Sequence, residues 1–197
     1  MSRFSHLSLV AVGDSPFLPM QEMADDLEEI LGLSVSVLTS RLPLPDDAWD
    51  HRRGQYLAPR ILSLLRQARG ASEGLVLGVA NSDLYAPGLS FVFGQADMAN
   101  GVAAVSMTRL FPAYYGRPHD VTTFRRRNAI EGVHEVGHLL GIPHCPDRHC
   151  VMFFSSTMSD SDRKGPLFCE TCGDRAARAV VRTPAVIPAA ADGPIAG

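Results

Sequence analysis

The segment from residue 134 to residue 144 holds three histidines and a glutamate at spacings that suit a metal centre. It reads HEVGHLLGIPH. On an α-helix at about 100° per residue, positions four apart lie within about 40° of each other, so His134 and His138 project from the same side one turn apart. The spacing predicts that both imidazoles bind one ion. Glu135 is then placed beside the ion as a base and not as a ligand.

A third ligand is predicted at His144. Gly141 permits the positive φ that brings the chain back toward the ion, and Pro143 prevents the helix from resuming. Three imidazoles and a water give the four-coordinate geometry of catalytic zinc, which lowers the pKa of its water from about 15.7 toward 7. We therefore predict that Glu135 takes a proton from that water and passes it to a leaving amine. Two helical histidines alone could be ordinary surface or core residues, but the added Gly141 and His144 argue against that alternative.

All four cysteines of the chain lie in two short-range pairs, Cys145 with Cys150 and Cys169 with Cys172. This pattern is typical of a structural zinc site, in which four thiolates fill the tetrahedral shell and exclude water. The alternative is two disulfides or reduced core thiols, which the lack of an export signal disfavours. His149 could replace one cysteine, although an exposed loop position is the simpler interpretation. The sequence thus predicts two Zn²⁺ ions, one catalytic and one structural.

Together these motifs resemble the archaemetzincin family of zinc peptidases. The resemblance extends over about residues 5 to 182 and is carried by the pattern HExxHxxGxxH followed by Cys145, Cys150, Met152, Cys169 and Cys172. It implies a metzincin-like fold and the hydrolysis of peptide bonds. It also implies that Met152 packs beneath the imidazoles without binding the ion.

The resemblance further implies that an edge strand ahead of the active-site helix binds the substrate by strand addition, a role that falls to residues 89–93. Some metzincins add a tyrosine contact soon after the methionine, but here Phe153 follows Met152. Tyr114 and Tyr115 are candidates for stabilising the oxyanion only by elimination.

Hydrophobic periodicity predicts the elements that must position these residues. Strand patterns cover residues 6–12, 33–38, 75–79, 89–93 and 102–107, and helix patterns cover residues 14–31, 55–68, 120–140 and 174–182. The predicted fold class is α/β (α+β), with a mixed twisted sheet of about five strands and helices packed on it. Asp120 or Thr122 is expected to cap the active-site helix, and the arginines at 125–127 to form a solvated face of it.

Residues 1–182 are predicted to form one catalytic domain, in which residues 1–141 supply the sheet and helices and residues 142–182 supply the zinc-stapled C-terminal part. Residues 183–197 are rich in Pro, Ala and Gly, a composition that predicts a disordered tail.

Composition narrows the possible functions. The chain has 197 residues, of which 46% are apolar and 20% charged, and a net charge of -3 that gives no general attraction to nucleic acid or anionic lipid. No stretch approaches the roughly 20 apolar residues needed to span a bilayer. We expect a cytoplasmic monomer that acts on a peptide or protein substrate. The alternative is a catalytically silent, zinc-stapled module that binds a peptide or protein, but such a module has no chemical need of Glu135.

Overall fold

The computed structural model describes residues 4–70 and 74–181, so the predicted tail at 183–197 lies outside the described residues. In chain order the strands are β1 His6–Val12, β2 Ser34–Leu42, β3 Trp49–Asp50, β4 Gln55–Leu57, β5 Leu75–Ala80, β6 Leu84–Tyr85, β7 Gly94–Asp97 and β8 Val102–Ser106. The α-helices are α1 Phe17–Leu31, α2 Ala58–Arg69, α3 Val121–Leu139, α4 Met158–Arg163 and α5 Glu170–Ala179.

Five strands form one mixed sheet in the order β2-β1-β5-β8-β7. All neighbours are parallel except β7, which runs antiparallel to β8 at the edge. Every residue of the central strand β5 is buried, as its continuous apolar run predicts. The predicted fold class is therefore confirmed.

Helices cover both faces of this sheet. Leu77 of β5 joins a core that includes Met23 of α1 and Val133 of α3, whereas Val76 points into a second core with Leu65 of α2. α3 also contacts β7 and β8, so the active-site helix lies along the edge region of the sheet. No helix in the described part of the chain is long and apolar enough to cross a membrane.

The edge of the sheet differs from its prediction. Residues 89–93 form no strand, and within them Val92 makes only an isolated bridge to Leu84. The edge strand is β7, which begins directly afterwards. A turn in which Leu89 N donates to Ala86 O (3.0 Å) starts the segment, and its apolar side chains line a cleft instead of a sheet. Alternating apolar residues occur both in strands of a sheet and in segments that line a cleft, so the periodicity predicted a strand where there is none.

Three helices also differ from their predicted boundaries. The helix predicted at 174–182 is α5, which begins earlier, at Glu170, and ends at Ala179. The predicted helix at 55–68 begins only at Ala58, because Gln55–Leu57 pairs with β6 in a small second sheet. α1 begins at Phe17 without a side-chain cap, since the Ser15 hydroxyl donates to the Val79 carbonyl instead (2.7 Å).

The arginine run on α3 is not uniformly solvated. Arg127 is only 2% exposed and makes a bidentate ion pair with Asp162, with both N···O distances at 2.7 Å. Arg126 donates to the carbonyls of Asp162 and Lys164. The prediction of a solvated face is therefore wrong for Arg127, because the segment around α4, which periodicity did not predict, packs over it.

Candidate active site

α3 delivers the first two histidines of the predicted centre. The Asp120 carboxylate caps the helix by accepting a hydrogen bond from Thr123 N (3.0 Å). One turn apart near the other end, His134 and His138 place their rings nearly perpendicular, with centroids 4.7 Å apart and Nε2 atoms 3.2 Å apart. A regular helix is thus sufficient to bring these two side chains together.

The turn after α3 brings in the third histidine. Gly141 has a φ of 84°, in the left-handed region that favours glycine, and this conformation reverses the chain after the helix. His144 then lies with its Nε2 3.2 Å from Nε2 of His138. Burial decreases along the set, from buried His134 to exposed His144, so the group opens to solvent on one side.

Hydrogen bonds determine the tautomers of the two helical imidazoles. Nδ1 of His134 lies 2.7 Å from the Val151 carbonyl, and Nδ1 of His138 lies 2.9 Å from the Ile142 carbonyl. A carbonyl can only accept, so each Nδ1 carries the hydrogen and each Nε2 presents a lone pair. Lone pairs that face each other at 3.2 Å repel unless they share a cation. Because a tetrahedral zinc with Zn–N of about 2.0–2.1 Å separates its ligands by about 3.3 Å, the donor set fits zinc.

The electrostatics keep these imidazoles neutral. Burial, with help from the charges of Lys164 and His138, lowers the pKa of His134 well below its usual range. Burial also lowers the pKa of His138 and of His144. Neutral imidazole is the form that binds a metal ion.

Glu135 is buried between the helical histidines and β7. A Cβ on Gly94 would come within 2.6 Å of Glu135 Cγ and Oε1, so the glycine leaves the space that this carboxyl occupies. Glu135 Oε2 has no hydrogen-bond partner among the described residues. Burial, reinforced by Glu131 and opposed by Lys164, raises the pKa of Glu135 well above its usual range, and a dication at the histidines would favour the ionised form. One carboxyl oxygen is thus left without a hydrogen bond from any described residue.

Met152 is fully buried against α3. A Cβ on Gly137, which lies between the two helical histidines, would overlap the Met152 sulfur, so glycine permits this close packing. Met152 O accepts from Cys145 N (2.9 Å), while the preceding carbonyl, of Val151, accepts from His134. One short turn therefore contacts both the histidine group and the cysteine group.

The four cysteines form the second cluster, and their sulfur atoms all lie within 4.8 Å of one another. Cys145 Sγ and Cys169 Sγ are 3.8 Å apart, which matches the separation of about 3.8 Å expected for two thiolates on tetrahedral zinc. All four thiols are free, in contrast to the disulfide alternative. His149 is exposed and does not belong to the group. The arrangement fits a closed four-thiolate zinc site.

A cleft of about 580 Å³ opens over the histidines. Much of its lining is apolar, with one wall from residues 89–93 and further apolar side chains from Met98 and Phe154. The Arg109 guanidinium lies 4.0 Å from the ring centroid of Phe91 and is paired with Asp83, which anchors this wall. Tyr114 and Tyr115 do not line the cleft, so the geometry offers neither as an oxyanion contact.

Sequence reasoning missed two charged residues beside the site. Glu131 lines the cleft one turn before Glu135 on α3. Lys164 is fully buried with Nζ 3.3 Å from Nδ1 of His134. The sequence could have identified Glu131 from its spacing of four residues to Glu135, which places both on one side of α3. It could have identified Lys164 as the only lysine in the chain.

Comparisons with known proteins agree with this geometry. The model of peptidase family M54 matches residues 7–178. The archaemetzincin of Methanopyrus kandleri is 43% identical over 169 residues, which cover 84% of this chain and 92% of that protein. A crystal structure of archaemetzincin from the same organism superposes with a TM-score of 0.78 at 42% identity, covering 89% of this chain and 94% of the other. The crystal structure of a zinc-dependent peptidase from Methanocorpusculum labreanum gives a TM-score of 0.80 at 29% identity, covering 86% and 99%.

Proposed function

This chain belongs to peptidase family M54, as an archaemetzincin and a zinc metallopeptidase, and we propose that it cleaves peptide bonds in the cleft over α3 with Glu135 as general base. His134, His138 and His144 hold the catalytic zinc in this proposal, and Gly141 makes the turn that allows the third to join. The observation that carries it is the convergence of three imidazoles, in which the Nε2 atoms of His134 and His144 each lie 3.2 Å from Nε2 of His138.

Each step of the proposed reaction uses a group described above. Bound Zn²⁺ supplies Lewis acidity toward the scissile carbonyl and increases the acidity of water. Glu135 accepts the proton of the attacking water on its free oxygen, Oε2. It then returns that proton to the amide nitrogen as the C–N bond breaks. Burial of the carboxyl excludes bulk water, which strengthens its interaction with the reacting atoms.

A second, structural zinc is part of the proposal. Cys145, Cys150, Cys169 and Cys172 hold it, for a total of two Zn²⁺ per chain. Four thiolates leave no position for water, so this ion stabilises the fold and takes no part in hydrolysis.

The proposed substrate is a peptide bound in extended form along β7. This strand is at the edge of the sheet and beside the cleft, which suits addition of a substrate strand. The role expected of residues 89–93 is thereby divided, since β7 offers the backbone and residues 89–93 offer an apolar wall.

We also propose that residues 1–182 act as one domain and that the protein is a cytoplasmic monomer. Size-exclusion chromatography tests the monomeric state.

The experiment compares the wild type with Glu135→Gln on a mixed peptide library and measures zinc content by mass spectrometry. We expect two zinc ions in both proteins and a loss of cleavage of about 10²- to 10⁴-fold in the variant. Glu29→Gln, which changes an exposed carboxyl on α1, is the matched control and should cleave normally. A wild type that holds both ions but cleaves nothing would favour the silent binding module.

A further inference from the structure

Lys164 is the only lysine in the chain. The sequence contains 18 basic residues of the Lys and Arg types, and all the others are arginines. Lys164 is also fully buried, with a relative exposure of 0%. Because burying an ammonium is strongly unfavourable unless it is paired, this position has a specific need for that side chain.

The ammonium of Lys164 lies behind the first histidine of the metal centre. Its Nζ is 3.5 Å from Glu131 Oε1, donates to the Phe153 carbonyl at 3.2 Å, and is 3.3 Å from Nδ1 of His134. Since Nδ1 already donates its hydrogen to Val151 O, the contact with Lys164 is one of charge and not a hydrogen bond. A compact ammonium can serve these three directions, whereas a planar guanidinium cannot.

The surrounding structure keeps this ion pair in place. The Ser161 hydroxyl donates to Glu131 Oε1 at 2.7 Å, and all three side chains in this group are nearly inaccessible to solvent. Arg126 donates to the Lys164 carbonyl at 3.0 Å, which ties the backbone of residue 164 to α3. Both charged side chains are therefore held in the protein interior, where they face each other.

The signs of these charges matter at a site for a dication. A lone ammonium against His134 would repel the metal and weaken the imidazole as a donor. A lone carboxylate at Glu131 would instead add negative charge to a cleft that already contains Glu135. The pair cancels both effects, because its net charge is zero.

We propose that Lys164 and Glu131 form a charge-compensated pair behind His134, in which each partner offsets the effect of the other on the affinity of the three-histidine centre for its dication. This inference rests on the proposed function, since it takes the three histidines to bind zinc. It assigns opposite effects to the two partners. Removing Glu131 weakens zinc binding, and removing Lys164 strengthens it.

The test measures zinc affinity by competition with a chelator for Glu131→Gln, Lys164→Met, the double variant and wild type. Substitution with Co²⁺ separates the two sites, because only thiolate ligands give intense charge-transfer bands. As the only lysine, Lys164 gives a single side-chain signal after ¹⁵N-lysine labelling, which reports the charge of this group in the wild type and in Glu131→Gln. Arg163→Met removes a neighbouring exposed cation and is the matched control.

We expect the affinity of the histidine centre to fall about 10- to 100-fold in Glu131→Gln, to rise in Lys164→Met and to return near the wild-type value in the double variant. The cysteine cluster and Arg163→Met should show no change. A merely structural role would weaken binding in both single variants, and that result, or no change in either, overturns the inference. If Lys164→Met does not fold as a single variant, the zinc affinity of the double variant is compared with that of Glu131→Gln. A higher affinity in the double variant supports the inference, and an equal or lower affinity overturns it.

The outcome also separates this inference from the function on which it rests. A wild type that binds no metal at the histidines contradicts both the proposed function and the charge pair. Zinc binding and cleavage by the wild type, with the two single variants shifted in the same direction, contradict the charge pair alone.

Discussion

The histidine group and the cysteine group meet at neighbouring residues, His144 and Cys145, but the chain builds them differently. Two of the three histidines project from the 19-residue helix α3. The cysteines come from turns and from the start of the short helix α5. The histidine group ends in an exposed side chain, whereas two of the four cysteines are buried.

This difference shows how each group relates to the fold. A centre that must admit water and substrate cannot be closed by its own ligands, so carbonyls from the surrounding turns hold its imidazoles. Three of the four cysteines lie in residues 140–169, where the only α-helix is the six-residue α4, and the fourth, Cys172, lies in the first turn of α5. This region has little regular secondary structure. If the cysteines hold a structural zinc as proposed, the fold supports the histidine centre, whereas the cysteine cluster supports the fold.

The largest expected effect comes from breaking the cysteine cluster. Cys169→Ser should lower the free energy of unfolding by about 4 kcal/mol or more, because the loss of a structural metal removes its binding energy from the folded state. Thermal melting with zinc analysis measures this, and both ions should be lost together, since residue 145 follows the third histidine. His149→Ala, an exposed neighbour of Cys150, is the control and should melt normally. An unchanged melting temperature in Cys169→Ser would contradict a stapling role.

Graded chelation of the wild type compares how readily the histidine group and the cysteine group lose zinc. A mild chelator should remove zinc first from the histidine centre, because one of its ligands is exposed and one coordination position is open. Activity should disappear while the melting temperature changes little, and added zinc should restore it. A stronger chelator should then unfold the protein. Simultaneous loss of activity and structure would show that the groups do not differ as described.

A smaller effect is expected from crowding the base while leaving both ligand sets intact. In Gly94→Ala the new Cβ would meet Glu135 Oε1 at 2.6 Å and Ala104 O at 2.7 Å. We expect kcat to fall about 10- to 100-fold, because a small displacement of the base is sufficient, and stability to fall by about 1–3 kcal/mol. Gly165→Ala has no neighbour closer than 3.9 Å and should behave as the wild type. Full activity in Gly94→Ala would mean that Glu135 tolerates displacement.

The sequence by itself predicted the two groups of candidate ligands, which the structure brings together, and the main elements. The spacing of four between His134 and His138 acts through the geometry of a single helix, and the turn at Gly141 acts through local backbone conformation, so both can be inferred without tertiary structure. The central strand and the active-site helix were predicted for the same reason, since continuous burial and capping leave local patterns. Short polar α4 leaves no such pattern.

Only the tertiary structure decided which backbone forms the edge of the sheet and which charges are buried. Residues 89–93 and β7 lie next to each other in the chain, and β7 is the one that pairs with β8 and forms the edge strand. Lys164 and Glu131 are 33 residues apart in the sequence and 3.5 Å apart in space. Strand pairing and buried ion pairs depend on contacts between distant segments, whose free energies no local window of sequence contains.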